Sequence, residues 1–143
     1  MEDAGQSILH ASCVALDALN GVLILGPSGA GKSTLALQLM AYGAYLVADD
    51  RVALRTDGPD VVASAPESIS GLIEARGVGI LRAQSLRSAR IRLVVDLSRD
   101  ETERLPPKRE TNLLDRFLPL VLRVQHGHLD LAVLQWLKGG RHA

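Results

Sequence analysis

Gly26-Pro27-Ser28-Gly29-Ala30-Gly31-Lys32-Ser33 runs in the order Gly, four residues, Gly, Lys, then Ser or Thr, the pattern of a phosphate-binding loop. Ahead of it, Val22-Leu23-Ile24-Leu25 is a short apolar run of the length of a buried strand. Behind it, Leu35-Ala36-Leu37-Gln38-Leu39-Met40 predicts a helix. Strand, loop and helix in that order is the context such a loop requires. Its glycines let the backbone turn successive N–H groups inward, where they and the helix N-terminus meet the charge of a triphosphate. Lys32 then reaches the β- and γ-phosphates as a point charge, and the Ser33 hydroxyl holds a bridging magnesium ion. Thr34, in the first helical turn, is within reach of the α-phosphate. Nucleotide binding is the first function these residues point to.

Residues 8–16 alternate small and apolar side chains, and Asp17-Ala18-Leu19-Asn20-Gly21 is a turn, which predicts one strand paired in a hairpin with the strand of the loop. His10 lies in that strand. A lone strand histidine is ordinarily structural, so by itself it assigns no role. The helix after the loop is expected to end near Gly43, which suits a left-handed cap. Tyr45-Leu46-Val47-Ala48 then returns to the sheet and ends on Asp49-Asp50. In open α/β sheets ligands sit beyond the carboxyl ends of the strands, which places this acidic pair beside the loop. Adjacent residues at a strand end point different ways, so one carboxylate can face a magnesium shell and the other an incoming nucleophile.

Thr56-Asp57-Gly58-Pro59-Asp60 is a turn joining the apolar runs 52–54 and 61–63 as an antiparallel hairpin, so the sheet is expected to be mixed. From Pro66 to Gly71 the chain is loop-like. Leu72-Ile73-Glu74-Ala75-Arg76-Gly77-Val78-Gly79-Ile80-Leu81 follows, with a carboxylate, a guanidinium and two glycines in apolar surroundings, which suggests either a close backbone approach or a special turn. Residues 91–97 form a strong strand, 98–112 an exposed charged connection, 118–124 a strand broken by Pro119, and 129–137 a short helix. The tail Arg141-His142-Ala143 is expected to fray. The fold class is therefore α/β, a mixed sheet carrying a phosphate-binding loop and flanked by helices.

A chain of 143 residues, 47% hydrophobic, is long enough for one domain over residues 1–143 and too short for two. Lys plus Arg and Asp plus Glu balance at 16 each, which gives no positive field for nucleic acid. An aromatic content of 3% also argues against base-stacking platforms. No run approaches the ~20 apolar residues of a membrane span. Cys13 is the sole cysteine, so no internal disulfide forms, and a cytoplasmic location is expected.

Four segments in this order, His10, Gly26 to Ser33, Leu46-Val47-Ala48-Asp49-Asp50-Arg51-Val52 and Ile73-Glu74-Ala75-Arg76-Gly77-Val78-Gly79-Ile80, resemble the HPr kinase/phosphorylases. These are bacterial enzymes that phosphorylate a serine of the phosphocarrier HPr. The likeness covers residues 9–82 well and the remainder loosely, with Glu103-Arg104-Leu105 similar to an Asp-Arg-Leu element that supplies an arginine. It implies a fold of the HPr kinase and PEP carboxykinase type, ATP and magnesium as cofactors, an HPr-like partner and a homo-oligomer. It further implies Asp50 as acid/base and Lys32 with Gly26, Pro27, Ser28, Gly29, Ala30, Gly31, Ser33 and Thr34 as the nucleotide site. Ser33, Glu74 and Asp49 are implied at the metal, His10 and Arg104 as assisting residues, and Ile73, Glu74, Arg76, Gly77 and Gly79 as the signature segment.

Departures from that pattern matter. Family members usually carry a further N-terminal domain, so this chain resembles the short forms. Two readings of another class stand beside the protein kinase: a kinase for a small metabolite, and a nucleotide-gated binding module without catalysis. In the family a loop of the Pro-Val-Arg-Pro-Gly-Arg type is linked to the reverse reaction, in which inorganic phosphate removes the phosphoryl group and pyrophosphate is released. This chain has Val124-Gln125-His126-Gly127-His128 there. Two phosphate dianions a few ångströms apart repel by several kcal/mol unless cations offset them, and an imidazole titrating near ~6.5 is only partly charged at neutral pH. Pyrophosphate release from phosphoserine-HPr is therefore expected to be weak or absent at about pH 7.5 relative to kinase activity, and stronger near pH 6 if His126 and His128 substitute for the arginines; robust release at both pH values would mean that other cations, such as Arg104 or Arg123, serve.

Overall fold

The computed structural model describes residues 5–125 and 127–143. Its strands are β1 (Gln6–His10), β2 (Ser12–Ala15), β3 (Gly21–Leu25), β4 (Tyr45–Ala48), β5 (Arg51–Asp57), β6 (Asp60–Ser64), β7 (Leu72–Ala75), β8 (Gly79–Arg82), β9 (Ser88–Asp100), β10 (Arg109–Leu113) and β11 (Arg116–Arg123). The helices are α1 (Lys32–Ala41) and α2 (Leu129–Gly139). The main sheet runs β1-β5-β6-β9-β3-β2-β4, with β11 also against β9 and β10 against β11. β9 is its spine. It pairs antiparallel with β6 at its start and parallel with both β3 and β11 further on. The sheet is mixed, as the hairpin signals predict.

Side-chain alternation divides the interior in two. Cys13, Ala15, Leu23 and Val94 belong to one core with Val52, Leu54 and Val61 of the β5–β6 hairpin. Val14, Val22, Ile24 and Val95 face the other way and pack with Leu35 and Leu39 of α1 and Val133, Leu134 and Leu137 of α2. Neighbouring residues of one strand thus serve opposite faces, as a period of two dictates. The alternation breaks once in β9. Ala89 and Ile91 lie in the first core, whereas Leu93, Val95 and Leu97, of the same parity, lie in the second. The register explains it: Gly21 stands opposite Ile91 and Val22 opposite Leu93, so β9 carries one extra residue, Arg92. This is a β-bulge, which flips the faces and re-aims the inserted side chain.

α1 begins at Lys32, inside the phosphate-binding motif, and ends where the glycine signal places it. Gly43 has φ 104°, its N–H donates to the Met40 carbonyl at 3.0 Å, and that of Ala44 donates to the Leu39 carbonyl at 3.1 Å. These are the two bonds of a Schellman cap, which needs a left-handed residue at this point.

Four expectations from the sequence need correction, and the open alternative at residues 72–81 resolves to a special turn. Residues 8–16 are not one strand: the chain breaks at Ala11, so β1 pairs with β5 while β2 pairs with β3 and β4. Residues 72–81 are a β7–β8 hairpin, closed by the Val78 N–H donating to the Ala75 carbonyl at 2.9 Å. Gly77, at φ 85°, supplies the turn, and no atom lies within 4 Å of where a Cβ of Gly77 or Gly79 would be, so turn geometry rather than close approach explains this pair. The connection 98–112 is partly strand, because β9 extends to Asp100 and β10 occupies Arg109–Leu113. Pro119 does not break β11; it faces Glu110 just before pairing with β9 starts at Leu120. The tail is anchored, since Arg141 donates to the carbonyls of Pro106 and Pro107.

Cys13 has no exposed surface, and burial pushes its thiol well above the ordinary range. Only the thiolate is a nucleophile. A thiol reagent at about pH 8 is thus expected to leave the native chain unlabelled and to modify one thiol per chain after unfolding, followed by absorbance or mass; rapid labelling of the native chain would contradict this core assignment.

Candidate active site

One end of the sheet gathers the C-terminus of β1, the start of β2, the loop between β3 and α1, the turn between β4 and β5, and the end of β7. Between them lies a cleft of about 210 Å³ lined by polar side chains and loop backbone. His10, Lys32, Ser33, Thr34, Asp49, Asp50, Glu74 and Arg76 all border it.

Asp49 is the hub. It is 6% exposed, and its Oδ1 accepts hydrogen bonds from Ser12 Oγ at 2.7 Å and Ser33 Oγ at 2.9 Å. Its Oδ2 accepts from the Glu74 N–H at 3.3 Å. One carboxylate thereby ties four segments that are remote in sequence. All three donors are neutral, and among the described residues no cationic group lies within ion-pair distance of Asp49. Buried anions ordinarily need a paired charge.

Asp50, the next residue, points elsewhere. The Arg51 N–H donates to the Asp49 carbonyl at 2.9 Å, closing a γ-turn with Asp50 at its apex and φ 72°. A left-handed non-glycine residue is held there only by its surroundings, and such strain gathers at functional positions. The Asp50 side chain is 65% exposed, with Oδ1 3.3 Å from His10 Nδ1. The partner arises from pairing, because β1 and β5 bring His10 opposite Arg51.

The loop holds Lys32 in a closed arrangement. Its Nζ donates to the carbonyls of Gly26 at 2.7 Å and Pro27 at 3.0 Å, and the residue is 7% exposed. Open space lies where a Cβ of Gly29 or Gly31 would stand, on the wall of the cleft. The first N–H groups of α1 have no intrahelical acceptor and border the same space. This is a cradle of donors suited to phosphate oxygens.

The oxygen donors also fit a magnesium ion. Among the described residues no three His, Cys, Asp or Glu side chains converge as a complete metal cage. Magnesium is commonly held by one or two carboxylates, waters and substrate phosphates. Ser33, Asp49 and Glu74, which all line the cleft, are oxygen-bearing residues of that kind.

Other residues singled out in the sequence take different places. Ile73 is 1% exposed and packs in the helix-side core. Gly26, Pro27 and Ala30 shape the loop without lining the cleft, and Gly77 and Gly79 shape the β7–β8 turn. Arg104 is exposed on the β9–β10 connection and does not border the cleft. Arg123 is held by Asp100 at 2.7 Å. His126 lies outside the described residues, and His128 stands at the N-terminus of α2 away from the cleft. Ser12 was not singled out by any motif. Its one signal in the sequence is a hydroxyl inside an apolar strand, which must find a buried partner.

Comparison with known proteins follows the same lines. The family described as HPr Serine kinase C-terminal domain matches residues 2–122. Among curated proteins, the HPr kinase/phosphorylase of Geobacillus kaustophilus is 44% identical over 128 residues, covering 80% of this chain and 41% of that protein. The HPr kinase/phosphorylase of Xanthomonas campestris is 38% identical over 131 residues, with the same two shares, 80% and 41%. The chain thus spans about two fifths of the length of these relatives. The structure of the Hpr(Ser) kinase/phosphatase from Coxiella burnetii superimposes with a TM-score of 0.76 at 25% identity, covering 92% of this chain and 94% of that one. With that family matched over residues 2–122, the chain belongs to the HPr serine kinase C-terminal domain family.

Proposed function

We propose that this chain transfers the γ-phosphoryl group of ATP to a serine hydroxyl of an HPr-like phosphocarrier, in the cytoplasm and with magnesium. The observation that carries the reading is the pairing of two adjacent carboxylates in opposite settings. Asp49 is buried against Ser33, and Asp50 is strained, exposed and turned into the cleft beside His10. Bound magnesium would neutralise phosphate charge, and Ser33, Asp49 and Glu74 are the residues that would hold it.

Each remaining step belongs to a side chain. Lys32 exchanges its two carbonyl acceptors for phosphate oxygens, a short movement because its Nζ already lies over the loop. Asp50 accepts the proton of the incoming serine hydroxyl, with His10 holding the carboxylate from its other side. Most of the rate acceleration comes from positioning, since phosphoryl transfer asks little covalent chemistry of the protein. The open cleft suits an acceptor hydroxyl carried on a protein surface better than an enclosed metabolite. The homo-oligomer implied by the family resemblance is compatible with this reading, and Arg104 would then act only if assembly or closure brought it to a cleft.

Substitutions separate the roles. Asp50→Asn is expected to keep nucleotide affinity and to cut phosphorylation of HPr by roughly a hundredfold or more. Lys32→Ala is expected to weaken nucleotide binding itself. Asp50→Gly relieves the left-handed strain, so it is expected to be at least as stable as the parent, by up to ~1 kcal/mol, while losing transfer. Calorimetry, phosphoserine mass analysis and denaturant unfolding measure the three. Unchanged turnover in Asp50→Asn would remove Asp50 from its role; transfer to a metabolite but not to HPr would favour the small-molecule kinase, and binding without any transfer the nucleotide-gated module.

A further inference from the structure

A second groove, of about 490 Å³, lies where β9, β10 and β11 meet the C-terminal end of α2, and it shares no lining residue with the P-loop cleft. Arg92, Lys108, Arg109 and Arg141 border it, facing one carboxylate, Glu110, and the ring of Trp136. We propose that this groove is a separate binding site for a small phosphate-bearing anion.

Charge arithmetic supports the assignment. Arg109 is already neutralised, with Nε and Nη2 donating to Glu101 at 2.9 and 3.0 Å; its guanidinium in turn holds Glu101 below the usual carboxylate range. The other three cations have no carboxylate within ion-pair distance among the described residues. Arg92 donates to the Asn20 side-chain carbonyl at 3.0 Å, Arg141 to the Pro106 and Pro107 carbonyls, and Lys108 to no group among the described residues. With Glu103 also 3.6 Å from Arg109 Nη2, the three remaining cations against Glu110 and Glu103 leave an excess of about one positive charge, which favours an anion. The C-terminal end of α2 attracts cations too, but its partial charge is only about half a unit, too little to account for three.

The local architecture points the same way. Arg92 is the inserted residue of the β9 bulge, and bulges re-aim side chains. Its guanidinium lies 5.9 Å from the Trp136 ring centroid, which fixes the fork in place while leaving N–H groups for a ligand. A planar fork matches phosphate oxygens better than an ammonium does. The groove volume falls within the usual range for small-ligand sites. This assignment does not depend on the kinase reading, because it uses none of the cleft residues.

Trp136 is the sole tryptophan of the chain, so its emission reports on the groove directly. Inorganic pyrophosphate is titrated into the parent chain and into Lys32→Ala, whose P-loop is weakened. Both are expected to show the same saturable change in emission. Lys108→Gln and Arg141→Gln, which leave the Arg92–Trp136 contact in place, are each expected to lower the affinity roughly tenfold. Circular dichroism and the nucleotide affinity of the cleft check that these variants are folded. A change lost in Lys32→Ala, a response that never saturates, or affinity unaltered in both groove variants with the fold intact would overturn the proposal.

Discussion

A single buried carboxylate with only neutral donors around it organises this site. Asp49 accepts from Ser12 of β2, Ser33 of α1 and the backbone of Glu74 in β7, and it ends β4 itself. Burying such a group without a charged partner is unfavourable, and leaving it with fewer hydrogen bonds would be worse by several kcal/mol. The strand break at Ala11, the start of α1 and the β7–β8 hairpin bring these donors together.

The neighbouring residue shows how backbone geometry divides labour. A γ-turn at Asp50 makes the chain reverse direction within three residues, so successive carboxylates end up in opposite environments. The break of the first strand at Ala11 completes the arrangement, since β1 leaves β2 there and carries His10 to the rim while Ser12 dives beneath it. The Ala11 N–H donates to the Asp50 carbonyl at 3.3 Å, which ties the two irregularities together. Holding Asp50 by strain and support, rather than by many contacts of its own, leaves its side chain exposed to the cleft.

Much of this was legible in the sequence, for definite reasons. The P-loop spacing, the apolar strands beside it and the Asp49-Asp50 pair at a strand end each carry a local signal that tertiary structure did not overrule. Ser12 lies in no motif, and the hydroxyl in its apolar strand becomes informative only once its partner, 37 residues away, is known. β10 alternates polar and half-buried residues on an edge of the sheet, so it resembled an exposed connection. The bulge at Arg92 is invisible to a period-of-two reading, since residues 91–97 are apolar enough to suit either face. Arg104, placed by family likeness, is exposed away from the cleft in this chain.

In the mechanism proposed above, Asp49, oriented by its neutral donors, supplies the magnesium-dependent part of nucleotide binding. Calorimetry of ATP binding to the parent and to Asp49→Asn, each with magnesium and with chelator, tests it most directly. The account predicts a folded variant whose affinity with chelator is near that of the parent but which loses at least about tenfold of the magnesium enhancement. A folded Asp49→Asn chain that keeps the full enhancement would contradict it.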